Sequence, residues 1–497
     1  MFDHDDIAAL RTAPVVVLPV PRRTPEERAS ELQRIHRAQG RLFAYRVEMV
    51  AGLAHDRSDA GDRPPGSIGA ASPEWAHDQG EDRLPGVGEF LPDELALILN
   101  CSRAEASELA EDSLTLVHRL PSTLAALSEG VLDWPRARAL ARELGWPARD
   151  TEPAIVAQVE AAVVPRAAEL SVSRLRALTR SELMRLDAAA AERRRKDAMR
   201  AADVTLRGAG DGMTELRAFL PAPEAAAVLG SVDAEARAAK KAGDPRPIGV
   251  LRAMVLSDRV LRRREASGPS VTAALTVIAP LTTLSHPPCD HPGAEPVEPG
   301  EVDGQPITAD QLRELLGQLD ALCPGGLQAP TGGTLDIALV DDDGTLRATV
   351  TRPELERLAR RGCPDHPGGG CDCPVLDRPP PVDRYRHSPA QERFLRTRDR
   401  SCRHPGCRSR AAWADLDHVL PHAEGGATDC ANLCCLCRRH NRLKTHARGW
   451  RFAMTADGIL SVTTPSGVTR TTRPPGTAPP PGVASPTRPP GDDPPPF

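Results

Sequence analysis

No apolar run in the 497-residue chain is long enough to cross a bilayer, and residues 15–20, the strongest short run near the N-terminus, fall far below that length. The start also reads against secretion: residues 1–6 carry Asp3, Asp5 and Asp6 and are acidic overall where a leader would be basic. These two features set the expectation of a cytoplasmic chain with no secretory leader, no membrane-spanning helix and no membrane partner. A large net charge is lacking too. The sum is −5, but it is unevenly placed: residues 384–451 hold 15 Lys and Arg against 6 Asp and Glu. A basic segment in an otherwise acidic chain points to a local polyanion contact, unless it is only a solvated surface. Cysteine is present 12 times, yet half of these lie within residues 402–437, spaced for a metal rather than spread as a disulfide framework.

That crowded stretch, residues 402–446, orders the rest of the reading. Structural zinc takes four soft or borderline ligands in two close pairs. Cys402 and Cys407 form one pair around Pro405 and Gly406; Cys437 and His440, at i and i+3, form the other. Leu433, Leu436, His440 and Leu443 recur at helical spacing, which predicts a helix through this second pair. Trp413, Leu416 and Val419 read as a strand ending at Asp417 and His418, followed by a loop at Gly425 and Gly426 with Asn432 at the return. Asp417 and Asn441 offer hard oxygen donors suited to Mg²⁺ or Mn²⁺. His418, beside one of them, is the candidate general base. Arg438, Arg439, Arg442 and Lys444 are candidates for nucleic-acid phosphates. His422 and His446 read as surface residues. Cys430, Cys434 and Cys435 are rivals for the metal.

The pattern C-x4-C, D-H-V-x-P, G-G and N-L-x-x-L-C-x-x-H-N-x-x-K, over residues 396–451, resembles the HNH endonuclease family and its ββα-metal fold. The resemblance implies that His418 activates water, that Asn432 holds the histidine loop, and that Asn441 with Asp417 binds the catalytic divalent metal. The last position is more often His in the family, so Asn441 implies weaker metal affinity. It also favours Cys437 and His440 as zinc ligands and leaves Cys430, Cys434 and Cys435 as packing or spare thiols. The function so implied is metal-dependent phosphodiester hydrolysis in nucleic acid, double-stranded DNA first. The competing readings are a non-catalytic zinc-stapled DNA-binding protein and a purely structural helical scaffold with a vestigial tail.

Residues 1–23 read as a flexible arm and 24–376 as a mainly helical domain with a few β-hairpins and a disordered insertion at 56–86. Capping boxes mark helix starts at Thr24, Ser102 and Thr308. The first helix is expected to carry Leu32, Ile35, Leu42, Met49 and Leu53 on one face, and a single long helix is expected over 182–200. Hairpins are expected over 204–220 and 334–350, and a buried strand over 271–278. Through stretches such as LPSTLAALSEGVLDWPRARAL (120–140) and DGMTELRAFLPAPEAAAVL (211–229), this part, over about residues 32–376, resembles the domain-of-unknown-function 222 region that precedes HNH domains in actinobacterial proteins. The resemblance implies no activity; DNA positioning, partner binding or a homo-oligomer contact through the helices are the expectations. Cys363, His366, Cys371 and Cys373 form a second candidate zinc knuckle, weakened by the poor chelating geometry of C-x-C. A linker helix (377–395) leads into the zinc-stapled domain (396–473), which ends in a small β-sheet. Residues 474–497 are Pro-rich and read as disordered; the chain has 50 prolines, about twice average usage.

Overall fold

The computed structural model describes residues 23–64, 84–210, 213–261, 305–323, 334–341, 344–361 and 377–476, with short pieces at 20, 66–67, 69–70, 277–279, 299–302, 326–329 and 366. The strand segment 271–276, Cys363, Cys371, Cys373, residues 71–83 of the expected insertion and most of both termini lie outside these. Two compact units emerge: residues 1–191 with 336–497, and residues 192–335. The first unit therefore joins the helical region to the C-terminal region, across the boundary that the sequence placed near residue 376. Among the described residues, no helix is long and apolar enough to cross a membrane.

The first unit begins with α1 (Pro25–Asp56), capped by the Thr24–Glu27 box. Its buried face corrects the expected one. Leu32, Ile35, Leu42 and Met49 are exposed, whereas Gly40, Ala44, Val47, Val50 and Ala54 are buried. Small residues win because the backbones come close: a Cβ on Gly40 would stand 2.8 Å from the carbonyl oxygen of Leu132. Next come α2 (Leu91–Leu99), α3 (Arg103–Arg119), α4 (Pro121–Ser128), α5 (Trp134–Leu144), α6 (Pro153–Ala167) and α7 (Val172–Leu186). Their main core gathers Ala44, Leu116, Leu127, Leu140, Val159 and Leu175, among others. The expected long helix is broken: α7 stops at Asp187, which accepts from the Thr151 hydroxyl at 3.2 Å, and α8 (Ala188–Arg200) starts afresh.

In the second unit, β1 (Asp203–Gly210) and β2 (Met213–Phe219) form the expected antiparallel hairpin. The paired helices α9 (Ala222–Lys241) and α10 (Ile248–Leu261) are tied by Arg252 to Asp233. Strands β3 (Val277–Ile278), β4 (Gly300–Val302) and β5 (Gln305–Ile307) make a three-stranded sheet. They are followed by α11 (Ala309–Gln318), capped by Thr308, and by the short pair β6 (Leu322–Cys323) and β7 (Gly326–Leu327).

The first unit resumes with the hairpin β8 (Asp336–Val340) and β9 (Leu346–Thr351), then α12 (Arg352–Arg361) and α13 (Pro389–Asp399). The linker helix expected from residue 377 starts later, because Ser388 is its N-cap and pairs with Gln391 in a capping box. It is no linker: Phe394 and Leu395 pack on Cys430 and Leu433. Then β10 (Asp415–His418) pairs antiparallel with β11 (Leu433–Leu436), and α14 (Arg438–His446) follows. Leu433 and Leu436 are thus strand residues, not the first turn of the helix. All four residues of β11 are buried, and a strand buried on both faces shows no alternation to distinguish it from helix. Trp413 lies in a short 3-10 turn ahead of β10 and is exposed. A meander of β12 (Arg451–Met454), β13 (Leu460–Thr463) and β14 (Thr469–Thr472) closes the region.

Candidate metal centre and the β10–β11–α14 site

Four side chains converge from two elements, the 402–407 knuckle and the start of α14. Cys402 and Cys407 flank a tight turn in which Gly406 adopts φ +78° and the Cys407 N–H donates to the His404 carbonyl at 3.0 Å. The knuckle is zipped to β11 by the Arg403 N–H donating to Cys435 O at 2.8 Å. Cys437 is the N-cap of α14, and His440 lies one turn inside it. The sulfurs of Cys402, Cys407 and Cys437 and a ring nitrogen of His440 all lie within 4.8 Å of one another. Tetrahedral zinc, with Zn–S near 2.3 Å, places its sulfurs about 3.8 Å apart, so the set fits a closed site for a metal ion such as zinc. His440 Nδ1 faces inward, 3.3 Å from Cys402 Sγ and 3.2 Å from Cys437 Sγ. Hydrogen bonds from Cys402 and Cys407, aided by His440, drive the Cys437 thiol far below its ordinary pKa despite burial. A thiolate is what a metal needs.

The remaining thiols of the region have another environment. Cys430, Cys434 and Cys435 are fully buried in apolar clusters, outside the four-ligand group. Burial pushes Cys430 up to about 11 and Cys434 up to about 12.

The ring of His440 is held on its other side as well. His404 stacks on it, centroids 3.8 Å apart and planes within 4°. His404 is itself buried, and desolvation, then the charge of His440, lowers its pKa to about 3. His440 Nε2 lies 3.2 Å from Asp93 Oδ1, and Asp93 belongs to α2, 347 residues earlier. Arg439 donates to Asp93 Oδ2 at 2.6 Å and to the Glu89 carbonyl at 2.6 Å; Arg442 forms a forked pair with Glu89, both bonds 2.6 Å. Arg439 and Arg442 also lie over the Phe90 ring. These two arginines were expected on phosphates; they are instead engaged by α2 and the residues before it. Lys444 is engaged too, its Nζ 2.8 Å from Asp417 Oδ2. Arg438 is exposed.

The second group builds around the end of β10. His418 pairs with Leu433 and is buried. Its Nε2 is 2.8 Å from Thr428 Oγ1, and Tyr385 stacks over the ring at 5.3 Å with 19° between planes. Desolvation lowers the pKa of His418, with Asp417 opposing, so the neutral ring is favoured. Asn432 clasps the loop that leaves β10: Oδ1 accepts from the Leu420 N–H at 2.8 Å, and Nδ2 donates to Leu420 O and Ala427 O, both at 3.0 Å. Only glycine fits at 426, where a Cβ would fall 1.9 Å from Leu420 O. Asn441 lies three residues before Lys444 on α14, and its Oδ1 accepts from the Thr445 hydroxyl at 3.4 Å. Asp417 Oδ2 is buried and makes no aligned hydrogen bond, although the lysine ammonium is near. His422 is exposed, as expected. His446 is partly buried beside Gly69.

Sequence reasoning missed Asp93, Glu89, His404, Thr428 and Tyr385. For Asp93 the local signal, an acidic first turn after Pro92, says only that a helix starts there. Nothing within a short window ties it to residue 440.

A helix-rich chain with small antiparallel sheets and a three-cysteine, one-histidine group that could hold a metal is the class of molecule these observations define. The chain belongs to the family described as domain of unknown function (DUF222), whose model matches residues 29–278. Over 90 residues it is 46% identical to the uncharacterized protein Rv3776 of Mycobacterium tuberculosis, covering 18% of this chain and 17% of that protein. Over 202 residues it is 32% identical to the uncharacterized protein Rv2100 of the same species, covering 40% of this chain and 32% of that protein. The chain thus spans about a third or less of the length of these relatives. No solved structure matches it.

Proposed function

We propose that the C-terminal region is a metal-dependent endonuclease of the HNH type that hydrolyses phosphodiester bonds in nucleic acid, with double-stranded DNA as the expected substrate. The observation that carries the reading is the order along β10, β11 and α14: His418 ends the first strand, Asn432 clasps the loop that follows it, and Asn441 lies on the helix that also carries His440. In this reading zinc is structural, held by Cys402, Cys407, Cys437 and His440. Asp417 and Asn441 hold Mg²⁺ or Mn²⁺, which would supply positive charge to the scissile phosphate. Asp417 Oδ2 is buried and lies 2.8 Å from Lys444 Nζ, so a metal held there would take the place of the ammonium.

The residues of the chain divide the remaining work. With the Nε2 proton given to the Thr428 hydroxyl, 2.8 Å away, Nδ1 would be unprotonated and able to take a proton from water. Asn432 keeps the loop, and so the ring, in place. Exposed Arg438 meets a flanking phosphate, whereas Arg439, Arg442 and Lys444 act inside the fold. The alternative is a non-catalytic zinc-stapled DNA-binding module; it is favoured by Lys444, whose ammonium already neutralises Asp417. A plasmid nicking assay with Mg²⁺, Mn²⁺ or EDTA separates the two. His418→Ala should slow cleavage by on the order of 10²–10⁴ while zinc content and DNA binding persist. Nicking by that variant at the wild-type rate would sink the enzymatic reading.

A further inference from the structure

A histidine that binds a metal through one ring nitrogen carries its proton on the other, and whatever accepts that proton fixes the ring and strengthens the ligand. The geometry at His440 assigns the two nitrogens. Nδ1 faces the cysteine sulfurs, so Nε2 bears the proton and points at Asp93 Oδ1, 3.2 Å away. Stacking against His404 restrains the ring from turning out of this plane. Asp93 is 1% exposed, and its other oxygen is taken by Arg439, the residue next to His440. One carboxylate therefore lies between the ligand and a cation, with no solvent to replace either contact.

The source of this carboxylate is the unexpected part. Asp93 stands in the first turn of α2, within residues 29–278 that match the DUF222 family. In the same helix Leu97 packs with Cys402, Cys434 and Leu436, and Glu94 accepts from the Ser466 N–H at 3.0 Å. We propose that Asp93 is the positioning residue of the metal centre, so that α2 of the N-terminal region completes a site whose four ligands all lie in the C-terminal region. A C-terminal fragment starting after residue 376 would keep the ligands and lack this support. The inference rests on the metal reading of the Cys/His group, and is independent of whether the protein cuts nucleic acid.

The test uses the full chain. Zinc affinity is measured by competition with a chromogenic chelator, and the purified protein is also loaded with Co²⁺ to record its ligand-field and thiolate charge-transfer bands. Asp93→Asn should weaken zinc binding by about 10–100-fold and shift the cobalt bands, because the histidine loses a basic acceptor. An amide nitrogen facing Arg439 could disturb the fold, so the double variant Asp93→Asn with Arg439→Gln removes that clash and should show the same loss. Glu89→Gln removes the carboxylate that pairs with Arg442 but leaves the residue 89 carbonyl and Asp93 in place; it should leave the affinity and the bands unchanged. Three results would overturn the proposal: Asp93 variants that bind zinc like the wild type, Asp93 variants with weaker binding but unchanged cobalt bands, or Glu89→Gln matching Asp93→Asn. Wild-type protein that took up no zinc at all would overturn it at the earlier step, the metal reading itself, whatever the nicking assay showed.

Discussion

Asp399 is fully buried and accepts four hydrogen bonds: two from Arg398 at 2.7 and 3.2 Å, one from Arg403 at 2.9 Å, and one from the Cys435 N–H at 2.8 Å. The two arginines go on to the carbonyls of Cys430, Leu433, Gly458 and Thr472. One ion cluster thus joins α13, the cysteine knuckle, β11 and the closing meander. Removing the carboxylate leaves two buried guanidinium groups without a counter-charge. Asp399→Ala should therefore cost about 3–5 kcal/mol, read as a lower denaturant midpoint in the fluorescence of Trp450. A loss below about 1 kcal/mol, the worth of a surface pair, would show that water reaches the cluster. This network also shows where the sequence misled. Residues 384–451 are rich in arginine, which by composition reads as a surface for phosphate. Arg398 and Arg403 are buried, and Arg439 and Arg442 are bound by acids from near α2. Charge counts cannot tell an arginine that faces solvent from one that ties two elements together, because its partner can be hundreds of residues away.

At the scale of elements, local signals were legible and faces were not. The boxes at Thr24, Ser102 and Thr308 start helices where the sequence placed them, since a capping box is made by residues three apart. The cysteine knuckle and the return at Asn432 were legible for a similar reason: turn glycines and ligand spacing are local. The buried face of α1 was not, because its fit depends on the opposing backbone. Glycine tests this directly. Replacing Gly by Ala in a helix interior normally stabilises by roughly 0.5–1 kcal/mol. Gly52→Ala, with nothing within 4 Å of the new methyl, should follow that rule. Gly40→Ala should have the opposite sign, because its methyl would stand 2.8 Å from the Leu132 carbonyl and 3.5 Å from that of Leu127. Thermal unfolding of the pair of variants checks it. Equal stabilisation by both would mean that α1 does not pack closely on the turn that follows α4.

For the whole molecule the deciding element is α2. Leu91, Leu95 and Ala96 pack in a cluster with Val50, Ala54, Ala106 and Leu109, while Leu97 packs with Cys402, Leu436, Leu460 and Val462. The larger core around Leu116, Leu140 and Val159 does not include α2. A metal site whose four ligands all lie within residues 402–440 would, by itself, concern only the C-terminal region. The packing says otherwise. Binding of structural zinc contributes about 10–16 kcal/mol in small domains, comparable to or larger than the ~5–15 kcal/mol that holds a typical domain folded. Cys402→Ser should therefore open β10 to β14, and α2 should go with them, since the partners of Leu97 and the contact of Asp93 with His440 disappear together. Helices α5 to α7 keep their own core and should remain closed. Hydrogen exchange resolves these segments separately: in Cys402→Ser, or in wild-type protein stripped by a chelator, protection should fall in α2 and in the C-terminal strands while that of α5 to α7 persists. If α2 stayed as protected as α5 while the C-terminal strands exchanged freely, α2 would belong to the helical core alone, and its contacts with the metal centre would contribute nothing to its folding.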